Sequence, residues 1–344
     1  MIPSHTLSII LGLTVTTAAA AAIEVEIDEW QVPVRMDASG KLYDGVPATF
    51  EERTRPRDPA IDGKGRVWFC GQAGNYLAYY EPASETFGRF DLAPNTRPHN
   101  LIVDGNDRVW YAGNGNGHIG RLDPASGTID QFAMPPAIKD PHTLVLDSDG
   151  DIWFTAQHSN AVGRLDTVSG KVDVIAMKSA DSRPYGIAID ANGRPWIALF
   201  GTNAIAKIDP PALVAREYRL PDADARPRRI AVTRDGMIWY VDYRLGQLGR
   251  LDPATGAVTN WTAPAGAQSL PYALAADDED RLWFVESPNG QSRLVGFQPD
   301  EEAFFSITPL PSGGIAVRHM IFHEPSRTLW FGADSNTIGR ARIP

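Results

Sequence analysis

Seven residues of chemically capable type recur along this chain at one fixed spacing: Arg57, His99, His142, Tyr185, Arg228, Tyr272 and His319 each stand eleven residues before a tryptophan. None of the seven is aliphatic. An imidazole near its ordinary pKa of about 6.5 suits general-base work at neutral pH. His99, His142 and His319 are therefore candidate catalytic groups, with Asp140, two residues before His142, as a carboxylate beside them. Arg57, Tyr185, Arg228 and Tyr272 are the matching candidates for substrate binding. Two positions upstream of the same slot lies a second tier, Arg55, Arg97, Arg183 and Arg226, interrupted by Asp140, with Arg229 and Arg318 nearby. Arginines gathered at one place in an acidic protein focus a positive potential, so the expected ligand is anionic or carbonyl-rich. Three residues after each tryptophan, only Asp242 and Glu286 are acidic, and they are expected to face Tyr272 and Arg228. The competing reading is structural: side chains of this kind also hydrogen-bond to one another and plug a channel.

The elements that must hold these residues are visible as a repeat. RPRDPAIDGKGRVWF (55–69), RPHNLIVDGNDRVWY (97–111), DPHTLVLDSDGDIWF (140–154), RPYGIAIDANGRPWI (183–197), RPRRIAVTRDGMIWY (226–240), LPYALAADDEDRLWF (270–284) and VRHMIFHEPSRTLWF (317–331) are seven copies of one pattern. Their tryptophans are 42, 43, 43, 43, 44 and 47 residues apart, a period characteristic of four-stranded propeller blades. Each copy holds a short apolar run, a Gly/Asp turn and an aromatic run, without the i, i+3, i+4, i+7 spacing of helical repeats. IGRLD-type runs (119–123, 248–252) supply a third strand. TIDQFAMP (128–135) and AVTNWTAP (257–264) supply a fourth, after DPASG or DPATG turns in which proline presets φ and glycine accepts φ > 0. The seventh copy lacks a fourth strand after TIGRARIP (337–344), and EIDEWQVP (26–33) matches the missing one. The fold expected is all-β: a seven-bladed propeller closed by its N-terminal strand, one domain over residues 23–344, with the seven slot residues ringing one mouth of the central channel. DSDGDIW (147–153) resembles the start of a calcium loop, but its glycine misses loop position six and His158 stands where glutamate is required, so it reads as a hairpin turn.

Composition narrows the classes of function. The formal charge of −10 excludes a nucleic-acid binder of the usual basic kind. The single cysteine, Cys70, rules out an internal disulfide and sits in a strand-like run, as an inert core thiol would. LSIILGLTVTTAAAAA near the start reads as the apolar region of an export signal over residues 1–22, with cleavage near Ala20 to Ala22. The expected location is periplasmic or extracellular. No other segment has the length to span a bilayer, so no membrane association is expected after cleavage, and the mature protein is expected to be monomeric.

The repeated RPHxI, DGxxWF and IGRLDP signatures, found across roughly residues 26–344, resemble those of the streptogramin B lyases, also called virginiamycin B lyases. That resemblance implies a seven-bladed propeller and a metal-assisted carbon–oxygen elimination. In it a base removes the proton beside an ester, Mg²⁺ stabilises the developing enolate and a lactone C–O bond breaks without water. The family's functional residues lie in its last two blades: a histidine in the penultimate RPH slot, then E-x-H and a glutamate three after the tryptophan. Carried over by blade, these fall on Tyr272, on Val317 and His319, and on Ala333, so only His319 keeps its type. RPH at 97–99 followed by DPH at 140–142 repeats the order histidine, acid, histidine in blades two and three, with Ala156 in the glutamate slot and Gln157 beside it. Mg²⁺ is expected from the resemblance alone, and no ligand set for it is read from the residues. Three functions remain open: a lyase acting on a lactone or ester, a non-catalytic propeller that captures an anionic small molecule, peptide or glycan, and a hydrolase of the lactonase kind.

Overall fold

In a computed structural model that describes residues 23–34 and 53–344, the chain forms seven four-stranded antiparallel sheets arranged as propeller blades. The expected export signal at 1–22 lies outside the described residues. Blades one to six are each built from consecutive strands; in blade one these are Pro56–Ile61, Val67–Gly71, Tyr76–Glu81 and Thr86–Asp91. The seventh joins the two ends of the chain. Its outer strand, Glu26–Gln31, pairs antiparallel with Thr337–Arg342, Glu26 opposite Arg342 and Gln31 opposite Thr337. Trp30 then stacks on Trp330 at 5.8 Å between ring centroids, sealing the seam.

The recurrent tryptophans are the packing between blades. Trp68 lies with Leu101, Val109 and Tyr111 of the next blade, Trp153 with Ile187 and Ile197, and Trp330 with Val67 and Phe69 across the ring closure. In six blades the indole nitrogen donates to the residue six before it at 2.8 to 3.1 Å; the acceptor is an aspartate (62, 104, 147, 190 and 277) except in blade five, where it is Thr233. Asp147 also takes the backbone N–H groups of Asp149 and Asp151, so the calcium-like stretch is an A–B hairpin turn whose carboxylate serves Trp153. The glycine of IGRLD has a steric cause: a Cβ at Gly120 would lie 2.1 Å from the Tyr111 ring, and one at Gly163 2.1 Å from that of Phe154.

In blades one to five the inner strand begins with a proline and the slot residue follows it. Proline is tolerated at a strand's first residue because its missing N–H leaves no ladder bond unmade. Directly after it the pairing slips, between Pro98 and Leu101, Pro141 and Leu144, and Pro184 and Ile187 in blades two to four. A bulge breaks the strict alternation of side chains and re-aims them. The slot residue and its successor therefore both reach the channel.

Candidate functional site

The seven slot residues converge on the axis. Arg57 Nη1 lies 3.5 Å from His99 Nε2, the His99 and His142 rings are 3.7 Å apart, and His142 lies 4.3 Å from the Tyr185 ring. The Tyr185 and Tyr272 hydroxyls hydrogen-bond to each other across the channel. Arg228 stacks on Tyr272 with its guanidinium carbon 3.7 Å from the ring centroid. His319 Nδ1 is 3.6 Å from Asp58 Oδ1. Arg57, His99, His142, Tyr185 and Tyr272 are buried, whereas Arg228 and His319 keep part of their surface.

The residues immediately after the slot form a second layer, of which the sequence analysis noted only Arg229. Arg229 reaches across the axis, Nη2 donating to Asp58 Oδ1 at 3.0 Å, Nη1 to Thr143 Oγ1 at 3.2 Å and Nε to the Arg318 carbonyl at 2.9 Å. Asn100 donates to the same Asp58 oxygen at 2.9 Å and accepts from the Leu144 amide at 2.8 Å. The small residue at this position in blade four, Gly186, admits the neighbouring strand: a Cβ there would stand 2.7 Å from the Arg228 carbonyl oxygen. These bonds tie the inner strands of blades one, two, three, five and seven to one another across the channel.

Burial and charge set the protonation of the ring. Burial, reinforced by neighbouring histidine and arginine charge, pushes His99 and His142 well below the ordinary imidazole value. Burial, with Arg229 adding to it, lowers His319 to about 4, Asp58 opposing. Each of these shifts disfavours the protonated imidazole. Burial pushes Tyr185 up to about 12. Burial acts the same way on Tyr272, but Arg228, Arg318 and Arg229 outweigh it and bring that phenol below its ordinary value. Four arginines, 57, 228, 229 and 318, crowd this space; Arg229 is paired with Asp58, and Arg318 with Asp334 at 2.6 Å.

The acidic candidates take other positions. Asp140 accepts from the His158 and Ser159 amides at 2.6 and 3.0 Å and from the Ser159 hydroxyl at 2.5 Å, which clamps a turn and leaves it apart from the His142 imidazole. Asp242 does the same for the amides of Arg226, Arg244 and Leu245. Glu286 holds Ser269, the Ala265 amide and Arg293. The expectation that Asp242 and Glu286 face the ring is corrected on this point: where a strand runs into a tight turn, free N–H groups recruit the carboxylate. The second tier of arginines forms the rim. Arg55, Arg97 and Arg183 are exposed, and Arg226 is half-buried, donating to the Ala223 and Ala225 carbonyls at 3.0 and 2.6 Å.

These donors do not suit Mg²⁺, which takes oxygen ligands in near-octahedral array. The slots carried over from the resemblance hold Tyr272, Val317, His319 and Ala333, the channel carboxylates Asp58 and Asp334 are occupied by arginines, and no group of three His, Cys, Asp or Glu in metal-holding geometry occurs among the described residues.

The fold and the ring define a seven-bladed propeller whose channel is lined by histidines, tyrosines and arginines. Residues 46–341 match the model of the virginiamycin B lyase family, and the chain belongs to that family. Its fold is similar to that of virginiamycin B lyase from Staphylococcus aureus, with a TM-score of 0.80 at 21% identity over 93% of this chain and 100% of that one. A streptogramin B lyase structure gives 0.80 and 21% over 95% and 100%. A catalytically inactive variant of the Staphylococcus aureus enzyme with quinupristin gives 0.77 and 20% over 93% and 100%. A comparison with curated protein sequences finds no match.

Proposed function

We propose that the channel mouth binds a small anionic or carbonyl-rich ligand and that the protein acts on it as a carbon–oxygen lyase, with His319 as the base. The observation that carries this reading is a partly exposed imidazole among arginines: His319 has a side-chain exposure of 24% and turns its buried Nδ1 toward Asp58 at 3.6 Å, so proton acceptance falls to Nε2, with Arg229 acting on the ring and Arg318 next to it in the strand. In such a site His319 accepts the proton from the carbon next to a carbonyl, and the electron pair left behind forms a C=C bond. The neighbouring C–O bond then breaks with its pair on the departing oxygen. The arginines favour the negative charge that develops, as fixed positive groups do in a water-poor site. No step is routed through a metal.

A second reading, capture without chemistry, is favoured by the packing of the ring: five of its seven side chains are buried against one another and leave little of the channel free. One experiment separates the readings. The protein is incubated in H₂¹⁸O with quinupristin and a panel of simple and macrocyclic lactones, and the products are weighed by mass spectrometry. A ring-opened isomer of unchanged mass, lost in His319→Ala, supports the lyase. Addition of labelled water makes it a hydrolase, and ligand recovered intact throughout leaves capture alone.

A further inference from the structure

We propose that Arg228 is a preorganised carboxylate-binding fork, so that the ligand of the mouth is a flat or ring-bearing carboxylate seated between blades four, five and six. This deepens the reading of the mouth as a ligand site and rests on it. Arg228 is held as few arginines are. Its guanidinium carbon lies 3.7 Å from the ring centroid of Tyr272, 4.2 Å from Tyr243, 4.6 Å from Phe200 and 5.1 Å from Tyr185. Four aromatic rings fix the planar group in place and strip part of its hydration, and stacking of this kind is compatible with in-plane hydrogen bonds from the terminal N–H groups. A carboxylate has the two oxygens that match these groups.

No carboxylate among the described residues answers the fork. Arg229 and Arg318 each hold an aspartate, whereas Arg228 has only phenols beside it, Tyr272, Tyr185 and Tyr243, with a hydrogen bond to Tyr185, and its Nε is buried without a partner. Two of the four rings, Phe200 and Tyr243, also line a cavity of about 510 Å³, whose rim carries Arg183, Arg226 and Arg244 against one carboxylate, Asp181. That volume suits a small molecule. The aromatic walls favour a flat body, and the surplus of arginine favours an anion. Neutral carbonyl compounds would satisfy the walls without answering the fork.

The test uses benzoate and its neutral isostere benzamide, titrated into the whole protein at constant ionic strength and read by calorimetry and by the shift in melting temperature. The expected result is saturable stabilisation by millimolar benzoate, with benzamide weaker by about tenfold or more. Arg228→Gln is expected to abolish the preference, and Arg228→Lys, which keeps the charge but loses the fork, to restore it only in part. Because Arg228 also packs in the ring, Arg244→Gln on the exposed rim serves as a second variant, expected to weaken benzoate severalfold with the unliganded melting temperature unchanged. Equal binding of the two probes, no benzoate response, or a preference that survives Arg228→Gln overturns the proposal. Benzoate binding in a protein that eliminates nothing from the lactone panel refutes the lyase and leaves the fork standing.

Discussion

Arg229 of blade five and Asp58 of blade one meet across the propeller axis, Nη2 to Oδ1 at 3.0 Å, with both side chains at 2% exposure or less. The contact joins residues 171 apart in sequence. Removing one partner of a buried pair leaves the other charge uncompensated, at a cost of roughly 3–5 kcal/mol. Arg229→Met is expected to lower stability by about that amount in urea denaturation, and adding Asp58→Asn to recover much of it. Full additivity of the two losses would show that the residues act separately.

The ring histidines make stability depend on pH in a defined direction. His319 has a folded value of about 4 against an ordinary 6.5, and His99 and His142 also lie well below the ordinary value. Between those limits the unfolded chain binds more protons than the folded one. The stabilising contribution is therefore complete above pH 6.5 and is lost as pH falls toward 4, at up to about 1.4 kcal/mol per pH unit for each histidine. The melting temperature is expected to fall steadily over this window. His142→Gln is expected to flatten the slope, and a pH profile identical to that of the parent would contradict the burial of this imidazole. The same shift places the acid limb of any His319-dependent rate near pH 4, well below the limb of an ordinary histidine.

How much of this was legible in the sequence divides along a physical line. Whatever repeats was readable: blade number, the tryptophan packing, the closure by residues 26–33 and the convergence of the slot residues all follow from a pattern stated seven times. Of the cross-channel set Asp58, Asn100, Thr143 and Arg229 only the arginine was noted, because strict strand alternation points each of these away from the channel, and only the bulge after the proline turns successive side chains the same way. A signal was present in the succession Asp, Asn, Thr, Gly, Arg, Ala, Met at a position where a core strand should be uniformly apolar. Asp140, Asp242 and Glu286 misled for the opposite reason. Their types suit catalysis, but their N–H neighbours come from turn geometry, which a single sequence does not display.

The aspartate beneath each tryptophan offers a local test of the scaffold. Asp104 accepts from Trp110 Nε1 at 2.9 Å and from Arg108 Nε at 2.8 Å, and closes its own hairpin through the Asn106 amide. Asp104→Ala leaves a largely buried indole N–H without a partner, which costs about 1–3 kcal/mol. Asp104→Thr is expected to be milder, since blade five already serves Trp239 from Thr233 at 3.1 Å. Urea denaturation with an unchanged m-value would report a pure stability loss, and an equal loss in both variants would count against the acceptor role.

Ring closure rests on the strand Glu26–Gln31, and its removal should be felt beyond its six residues. It covers the edge of Thr337–Arg342, Arg340 pairs with Asp28 at 2.7 Å, and Trp30 packs on both Trp330 and Tyr80, at 5.8 and 4.7 Å. A chain beginning at residue 32 presents an unpaired, partly apolar strand edge, the form of surface that recruits other chains. It is expected to unfold at a lower urea concentration and to self-associate in light scattering as protein concentration rises. Trp30→Ala keeps the edge covered and removes only the stack, so it should lose stability without associating. A truncated protein that stays monomeric and as stable as the parent would show that the first and last blades hold together without this strand.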